Sequence, residues 1–411
     1  MPAVHAPRLL LISASDYQSA VIKGVVSMLT DFDEGGFFER VLIAFPFART
    51  TTVVKLSDRV SVHDIGTDWL PFAQSVRRLR RLMAPLHVLR ALAVLVRYVR
   101  REGVDVIRAT DPCFSGLIAW GTSRLTGRPF CVSIHADFDQ RHRLGGVSAG
   151  ATIFGSRQLA RSVERFVICR ADMVMPIRDS LRPYALQLGA RPDRLRVIPH
   201  GTDLRDFVTP AALDVAAHFG IAPGTKIVSF AGRVVRENYV DDVLELARRL
   251  GAAREDFIML MVGGGLDEPR IKGLVQADPI LRKFVRLVGF MPRNIVAALR
   301  QASAVSLCLM GGFSLIEACA AASPVVSYDV EWHRELVRDG ETGFLVPEHD
   351  IDRLTAVVNR LLDDPTFGAA LGKAAQALAV SRHDLEITTA IKRRCYSEVI
   401  AAGSGLSVSA G

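Results

Sequence analysis

Between Ala304 and Asp329 the chain reads AVSLCLMGGFSLIEACAAASPVVSYD: an apolar run from Val305 to Leu309, a glycine pair, a helix start at Ser314 and a second apolar run opened by Pro324. That is the order of a βαβ unit, which requires a parallel sheet with helices packed on its faces. The unit leaves the first turn of its helix, near Ser314, Leu315 and Ile316, with unpaired backbone N–H groups at the mouth of the sheet, where a phosphate fits. Gly311 and Gly312 let a ligand approach the backbone, and Glu317 offers an acceptor for paired hydroxyls such as those of a ribose. The competing reading is a plain βα turn followed by a solvated first-turn acid that suits the helix dipole.

The same strand and helix alternation runs through the whole chain. Its first half carries strand candidates at Arg8–Ser13, Arg40–Phe45, Val104–Ala109, Phe130–Ile134, Met173–Pro176 and Leu195–Pro199, with helical stretches such as Val21–Leu29 and Leu86–Arg101 between them. The second half repeats it with Ile227–Ala231, Phe257–Val262, Val285–Val288, Val305–Leu309 and Val325–Tyr328, and Val240, Val243, Leu244, Ala247 and Leu250 make one apolar helix face. The segment His200–Lys226, with Gly201, Pro210, Gly220, Pro223 and Gly224, reads as the linker between two α/β sheets. At 411 residues the chain also exceeds one ordinary core and suggests two domains of about 200 residues each. A polar helix from Arg382 to Ile400 follows, and AAGSGLSVSAG reads as a disordered tail. Two such sheets joined by a linker are expected to bind a ligand at their carboxyl edges.

Composition narrows the function. Six cysteines fall singly, several of them inside apolar runs, and read as buried thiols of a reducing compartment with no metal site and no disulfide frame. No run reaches the ~18 apolar residues of a membrane-spanning helix, and Leu9–Ile12 is too short for a signal-peptide core, so a cytoplasmic protein is expected. The formal net charge of +8 admits nucleotides, nucleic acid or acidic lipid as partners, but at 7% aromatic residues the sequence lacks the interleaved stacking residues of a nucleic-acid binder. With no G-x-G-x-x-G after the first strand, where Ser13-Ala14-Ser15-Asp16-Tyr17 stands instead, a dehydrogenase is disfavoured.

Three strand ends carry the remaining chemistry. Gly232 and Arg233 follow Ile227–Ala231, and an arginine there matches phosphate oxygens with a planar fork; Arg236 adds a second charge. Gly263 and Gly264 follow Phe257–Val262 and would let a nucleotide lie against the backbone. His135 follows Phe130–Ile134 in the first half. Elsewhere, Val76, Leu79, Leu82 and Met83 line one face of a short helix ended by Pro85, Arg77, Arg78, Arg80 and Arg81 cover the other, and the next helix adds Arg90, Arg97, Arg100 and Arg101. Eight arginines beside apolar faces suit anionic lipid headgroups; ordinary solvated helices are the alternative.

In order along the chain, the phrases DVIRATDPCFSGLIA, VSIHADFD, RADMVMPIRDSLRPYALQLGARPDRLRVIPHGTDLRDF, FAGRVVREN, MVGGGLDEPRIKGL, VRLVGFMP, GGFSLIEACAAASPVVSYDVEWHRELVRDGETGFLVPEHD and LLDDP resemble the retaining GT-B glycosyltransferases of glycosyltransferase family four. The resemblance implies a GT-B fold of two Rossmann-like α/β domains facing a cleft. It places an acceptor-side domain at 1–205, a nucleotide-sugar domain at 206–381, a helix at 382–402 that crosses back to the first domain, and a tail at 403–411. It implies a metal-independent hexosyltransferase with a nucleoside-diphosphate sugar as co-substrate, no cofactor, and a glycan or lipid-linked acceptor in cell-surface polysaccharide or glycolipid assembly. Arg233 would neutralise the diphosphate with help from Arg236, backbone N–H groups at Ser314 and Leu315 would hold phosphate, Glu317 would hold the ribose, and His135 would lie by the transferred sugar. Asn238, Gly263, Gly264 and Gly312 complete the expected donor site.

The sequence departs from the family at two chemical positions. Where the family has lysine followed by glycine, this chain has Asn238 and Tyr239; where it has an earlier glutamate, eight residues before Glu317, this chain has Leu309. A nucleotide-sugar-binding subunit that lost its chemistry is therefore a rival expectation, and a same-fold epimerase a third. The protein is expected in the cytoplasm, with Arg77–Arg101 as a docking face for the inner surface of a membrane.

Overall fold

The computed structural model describes residues 6–22, 26–69, 77–139 and 155–403. The chain forms two compact units: the part up to Pro199 together with the residues from Thr389 on, and His200–Thr388.

In the first unit the strands are β1 (Arg8–Ile12), β2 (Arg40–Ala48), β3 (Thr52–Lys55), β4 (Val60–Gly66), β5 (Val106–Ala109), β6 (Phe130–Ile134) and β7 (Met173–Pro176). They lie in the order β3-β4-β2-β1-β5-β6-β7, parallel throughout except for the β3–β4 pair. Both faces are covered, which is why the strands read as unbroken apolar runs. Leu10 and Ile12 pack with Ala91, Leu95 and Val99 of the helix Arg77–Glu102, while Leu9 and Leu11 point to the opposite face, with Ile43, Met173 and Tyr396. Tyr396, Cys395 and Val399 belong to the terminal helix Leu385–Gly403, which completes this core.

The second unit has β8 (Lys226–Ala231), β9 (Phe257–Val262), β10 (Val285–Gly289), β11 (Val305–Leu307), β12 (Val325–Tyr328) and β13 (Phe344–Val346) in the order β10-β9-β8-β11-β12-β13, all parallel. The helix Val240–Ala253 buries the expected face, Val240, Val243, Leu244, Ala247 and Leu250, with Leu246 added. Across the sheet, Leu260 and Val262 pack with Ala298 and Leu299 of the helix Arg293–Ala302. The βαβ unit is present as β11, the helix Phe313–Ala320 and β12, closed by the Ser306–Val325 register. A parallel sheet collects all its carboxyl ends on one edge, so the loops after Ala231, Val262, Gly289, Leu307, Tyr328 and Val346 are neighbours.

Several expectations are corrected. Pro85 does not end a helix: Arg77–Glu102 runs through it, since a proline there removes one backbone N–H while the turns beyond it remain anchored by buried Ala91, Leu95 and Val99. Leu195–Pro199 is not a strand. Arg196 and Ile198 donate to the Val174 and Pro176 carbonyls, but Pro176 has no N–H with which to return the bond, and only an isolated bridge at Leu195 results. The helix expected from Arg382 starts at Leu385 and runs to Gly403, while Arg382 and His383 end the preceding helix, Pro365–His383, because Asp384 leaves helical geometry and its carboxylate caps the Glu386 N–H at 2.9 Å. Leu309 lies beyond β11. Gly403 is helical, and the tail from 404 on, like the side chains of Arg77, Arg78, Arg80 and Arg81, lies outside what is described. No helix among the described residues is long and apolar enough to cross a membrane.

Candidate functional site

The carboxyl edge of the second sheet is stitched together by its glycines. The Gly232 N–H donates to the Val262 carbonyl at 3.0 Å, Gly263 to Gly289 at 2.8 Å, and Val234 to Gly264 at 3.0 Å. At Gly263, with φ +119, a Cβ would stand 2.0 Å from the Gly232 oxygen, so only glycine fits between these strand ends. The close approach at Gly263 is thus to the chain's own backbone. Gly312 differs: it is exposed, and nothing lies within 4 Å of where its Cβ would be.

Arg233 follows directly. Its side chain is exposed, and among the described residues its guanidinium has no acid or carbonyl partner. The peptide around it is fixed, since the Arg233 carbonyl accepts from the Val235 N–H at 3.0 Å and the Asn238 side-chain amide at 2.8 Å. Asn238 therefore shapes the turn that presents Arg233 and brings no charge. Arg236 is 3.8 Å from Asp267, whose carboxylate also accepts the Arg236 N–H at 2.9 Å; hydrogen bonds from Arg270 and then from that N–H hold Asp267 below the usual carboxylate range. Tyr239 is left-handed at φ 56, and its ring packs on Tyr328 and His349 while its hydroxyl donates to Glu348.

The helix Phe313–Ala320 is drawn against this loop by Ser314, whose hydroxyl donates to the Ala231 carbonyl at 2.6 Å. The Leu315 N–H is not free, because it donates to the Gly312 carbonyl at 3.2 Å, and the Leu315 side chain is fully buried. Among the described residues the N–H groups of Gly312, Phe313 and Ser314 have no acceptor, so the open donors begin two residues earlier than expected. Gly311, just before them, is pinned by buried His333: the Gly311 N–H donates to Nε2 at 3.0 Å, which places the ring proton on Nδ1, facing the Tyr328 carbonyl and the Ser327 hydroxyl.

Glu317 lies one turn further on, its side chain 17% exposed. Arg293 Nη1 bonds one carboxylate oxygen at 2.8 Å, and Arg300 Nη2 is 4.0 Å from the other. Arg300 is 1% exposed, donates to Ser314 Oγ at 2.9 Å, and leaves its buried Nε without a partner. It was legible in principle: on the helix Arg293–Ala302 it falls three residues after buried Ala297, on the core face. Arg293, His333 and the Tyr239–Glu348 pair carry no such signal. His135 is exposed immediately after β6, in the first unit. No group of three or more His, Cys, Asp or Glu among the described residues is arranged to hold a metal.

The two α/β sheets, each in its own unit, make a GT-B fold. Residues 215–378 match the family described as "Glycosyl transferases group 1" and residues 41–201 that described as "Glycosyl transferase 4-like domain"; the chain belongs to these glycosyltransferases. Similar solved structures include a sucrose-phosphate synthase of Thermosynechococcus elongatus, with a TM-score of 0.69 at 20% identity over 96% of this chain and 100% of that one. HepE of Anabaena, solved with UDP, gives a TM-score of 0.70 at 18% identity over 95% and 100%. In sequence the chain is 28% identical to a D-inositol 3-phosphate glycosyltransferase of Nocardiopsis dassonvillei over 55% of its own length, and spans about half, 54%, of that relative. It is also 28% identical to a 2-deoxystreptamine glucosyltransferase of Streptomyces kanamyceticus, over 67% of this chain and 72% of that one.

Proposed function

We propose that this protein transfers a glycosyl group from a nucleoside-diphosphate sugar, with retention at the anomeric carbon and without a metal, to a glycan or lipid-linked acceptor in cell-surface assembly. The observation that carries the reading is the Ser314–Ala231 bond, which sets the open N–H groups of Gly312, Phe313 and Ser314 beside the loop of the unpaired Arg233. Breaking the anomeric C–O bond leaves negative charge on the diphosphate. Fixed N–H dipoles and a guanidinium stabilise that charge as it grows, and one such group is worth about 10²-fold in rate. Glu317 takes the ribose hydroxyls, Arg236 supplies a second, partly neutralised charge, and His135 serves the transferred sugar. HepE was solved with UDP and with UDP-glucose, which supports uridine nucleotides as the first donors to try.

The test is transfer from labelled UDP-sugars, in EDTA, by wild type, Arg233→Ala and Glu317→Ala. Activity that survives EDTA and falls at least about 100-fold in Arg233→Ala supports the reading. A Glu317→Ala variant with full activity removes Glu317 from the donor site. Asn238 and Leu309, which replace a lysine and a glutamate of the resembling family, favour a second reading, a subunit that binds nucleotide sugar without turning it over; nucleotide binding with no transfer to any acceptor would select it.

Docking on anionic lipid belongs to the same proposal. On the helix Arg77–Glu102, exposed Leu86, Leu89, Ala93, Arg97 and Arg100 share one face, whereas Arg90 turns inward to the Gly66 carbonyl and the Trp69 ring. Co-sedimentation with phosphatidylglycerol vesicles, lost in Leu86→Glu/Leu89→Glu and absent with phosphatidylcholine, is the expected result.

A further inference from the structure

We infer that Arg293 is the positioning residue for Glu317, and that it ties this carboxylate to the segment with which the second unit begins. The inference rests on the proposed role of Glu317 at the ribose. Arg293 opens the helix Arg293–Ala302, and both Nη atoms of its guanidinium are hydrogen-bonded. Nη1 bonds Glu317 Oε1 at 2.8 Å, Nη2 donates to the Asp203 carbonyl, Nε lies 3.4 Å from Asp206 Oδ2, and the plane sits 4.7 Å over the Phe207 ring. Asp203, Asp206 and Phe207 follow the boundary between the units at Pro199 and His200 by only a few residues. A planar fork bonded through both Nη atoms, with one face on a ring, has a restricted orientation although its side chain is 43% exposed, and it restricts the glutamate oxygen it grips.

The two carboxylate oxygens are therefore unlike. Oε1 is committed to Arg293, whereas Oε2, 4.0 Å from Arg300 Nη2, has no direct hydrogen bond. Oε2, with the second lone pair of Oε1, is the acceptor set left for a vicinal diol. Without Arg293 the glutamate would be free to rotate about its side chain or to swing fully onto Arg300, and a ribose would have to order it on binding.

An ordinary structural ion pair would weaken all ligands alike, or none. A positioning role predicts an added loss for ligands that carry the diol, read as the ratio of ribonucleotide to dideoxy affinity. The test measures binding of UDP, ADP and GDP and of their 2′,3′-dideoxy analogues by calorimetry, on wild type, Glu317→Gln, Arg293→Ala and Arg293→Lys, with folding checked by thermal unfolding. Wild type is expected to prefer the ribonucleotide by about 10-fold or more, since the lost bonds are to a charged acceptor. Arg293→Ala should bring that ratio near one, whatever the loss of a cation costs both diphosphates in common, and Arg293→Lys should restore part of it. A ratio abolished by Glu317→Gln but intact in Arg293→Ala overturns this inference alone. No preference in wild type, or one untouched by Glu317→Gln, overturns the ribose reading and this inference with it, as does failure of all three diphosphates to bind.

Discussion

Arg300 donates to the Ser314 hydroxyl at 2.9 Å from a position only 1% exposed, and that hydroxyl passes the contact on to the Ala231 carbonyl at 2.6 Å. A buried cation thus stands behind the first turn of the helix Phe313–Ala320, where the dipole already favours an anion. Glu317, the nearest carboxylate among the described residues, is 4.0 Å away and already taken by Arg293, so much of the positive field remains for a ligand.

Arg300→Met should separate stability from binding. A buried charge with so little compensation contributes little to folding, and an apolar residue of similar length keeps the packing, so the melting temperature should stay within a few degrees or rise. Affinity for a nucleoside diphosphate should fall by about 10-fold, while the free nucleoside binds as before. Titration of UDP and uridine against both proteins checks this, and equal losses for the two ligands would contradict the field argument.

With φ +119 and the Gly232 oxygen 2.0 Å from any Cβ, Gly263→Ala must push apart the ends of β8 and β9. A loss of at least about 3 kcal/mol is expected from combined backbone strain and overlap. Gly312→Ala, with open space at the same distance, should cost under about 1 kcal/mol. Urea unfolding of the two variants side by side gives the comparison.

The terminal helix is bolted to the first unit by a buried polar network. Arg108 donates to the Tyr396 hydroxyl at 2.7 Å and to Ser133 at 3.0 Å, and Lys392 reaches Glu34, itself 1% exposed, at 2.9 Å. Tyr396→Phe removes one buried bond to a charged donor and should destabilise by about 1.5–3 kcal/mol. Glu34→Gln leaves Lys392 with a weaker acceptor and should also destabilise. Additive losses in the double variant would show the two anchors to be separate, so a coupling energy is expected instead.

What could be read beforehand follows from where each residue finds its partners. Phe257–Val262 is buried on both faces and announces itself as an apolar run, as does Leu9–Ile12. The β3–β4 hairpin goes unread because β3 is largely exposed, Thr52, Val53 and Lys55 facing solvent, and β13 because it has three residues. Arg233 and Glu317 stand out because a strand end and a helix start mark them locally. Arg293 and His333 do not: their meaning lies with Glu317 and Gly311, 24 and 22 residues away, and only the closed sheet brings those pairs together. Tyr239 and His349 are a further case, two left-handed residues without glycine's freedom whose rings pack together at 5.3 Å.

His87, buried in the first unit, accepts from the Trp69 indole N–H at 3.1 Å on Nδ1 and therefore donates from Nε2 to the Pro46 carbonyl at 2.7 Å. Its surroundings are Phe47 on β2, Trp69, Arg90 on its own helix and Asp68. Burial pushes the imidazole below its ordinary value of 6.5, opposed by the Pro46 bond and assisted by Arg90. The unfolded chain then binds a proton at a higher pH than the folded one, so this site's contribution is fully present above 6.5 and is lost as pH falls through the lowered folded value. Protonation also places a hydrogen on Nδ1, which forces the Trp69 indole away. Wild type should therefore lose stability between pH 6.5 and 5 more steeply than His87→Gln, which keeps a donor and an acceptor but does not titrate in this range. Tryptophan emission should shift in parallel in wild type and not in Trp69→Phe. Carboxylates that titrate lower down affect both proteins equally and cancel in the difference, so superimposable pH curves for wild type and His87→Gln would remove the histidine from the account.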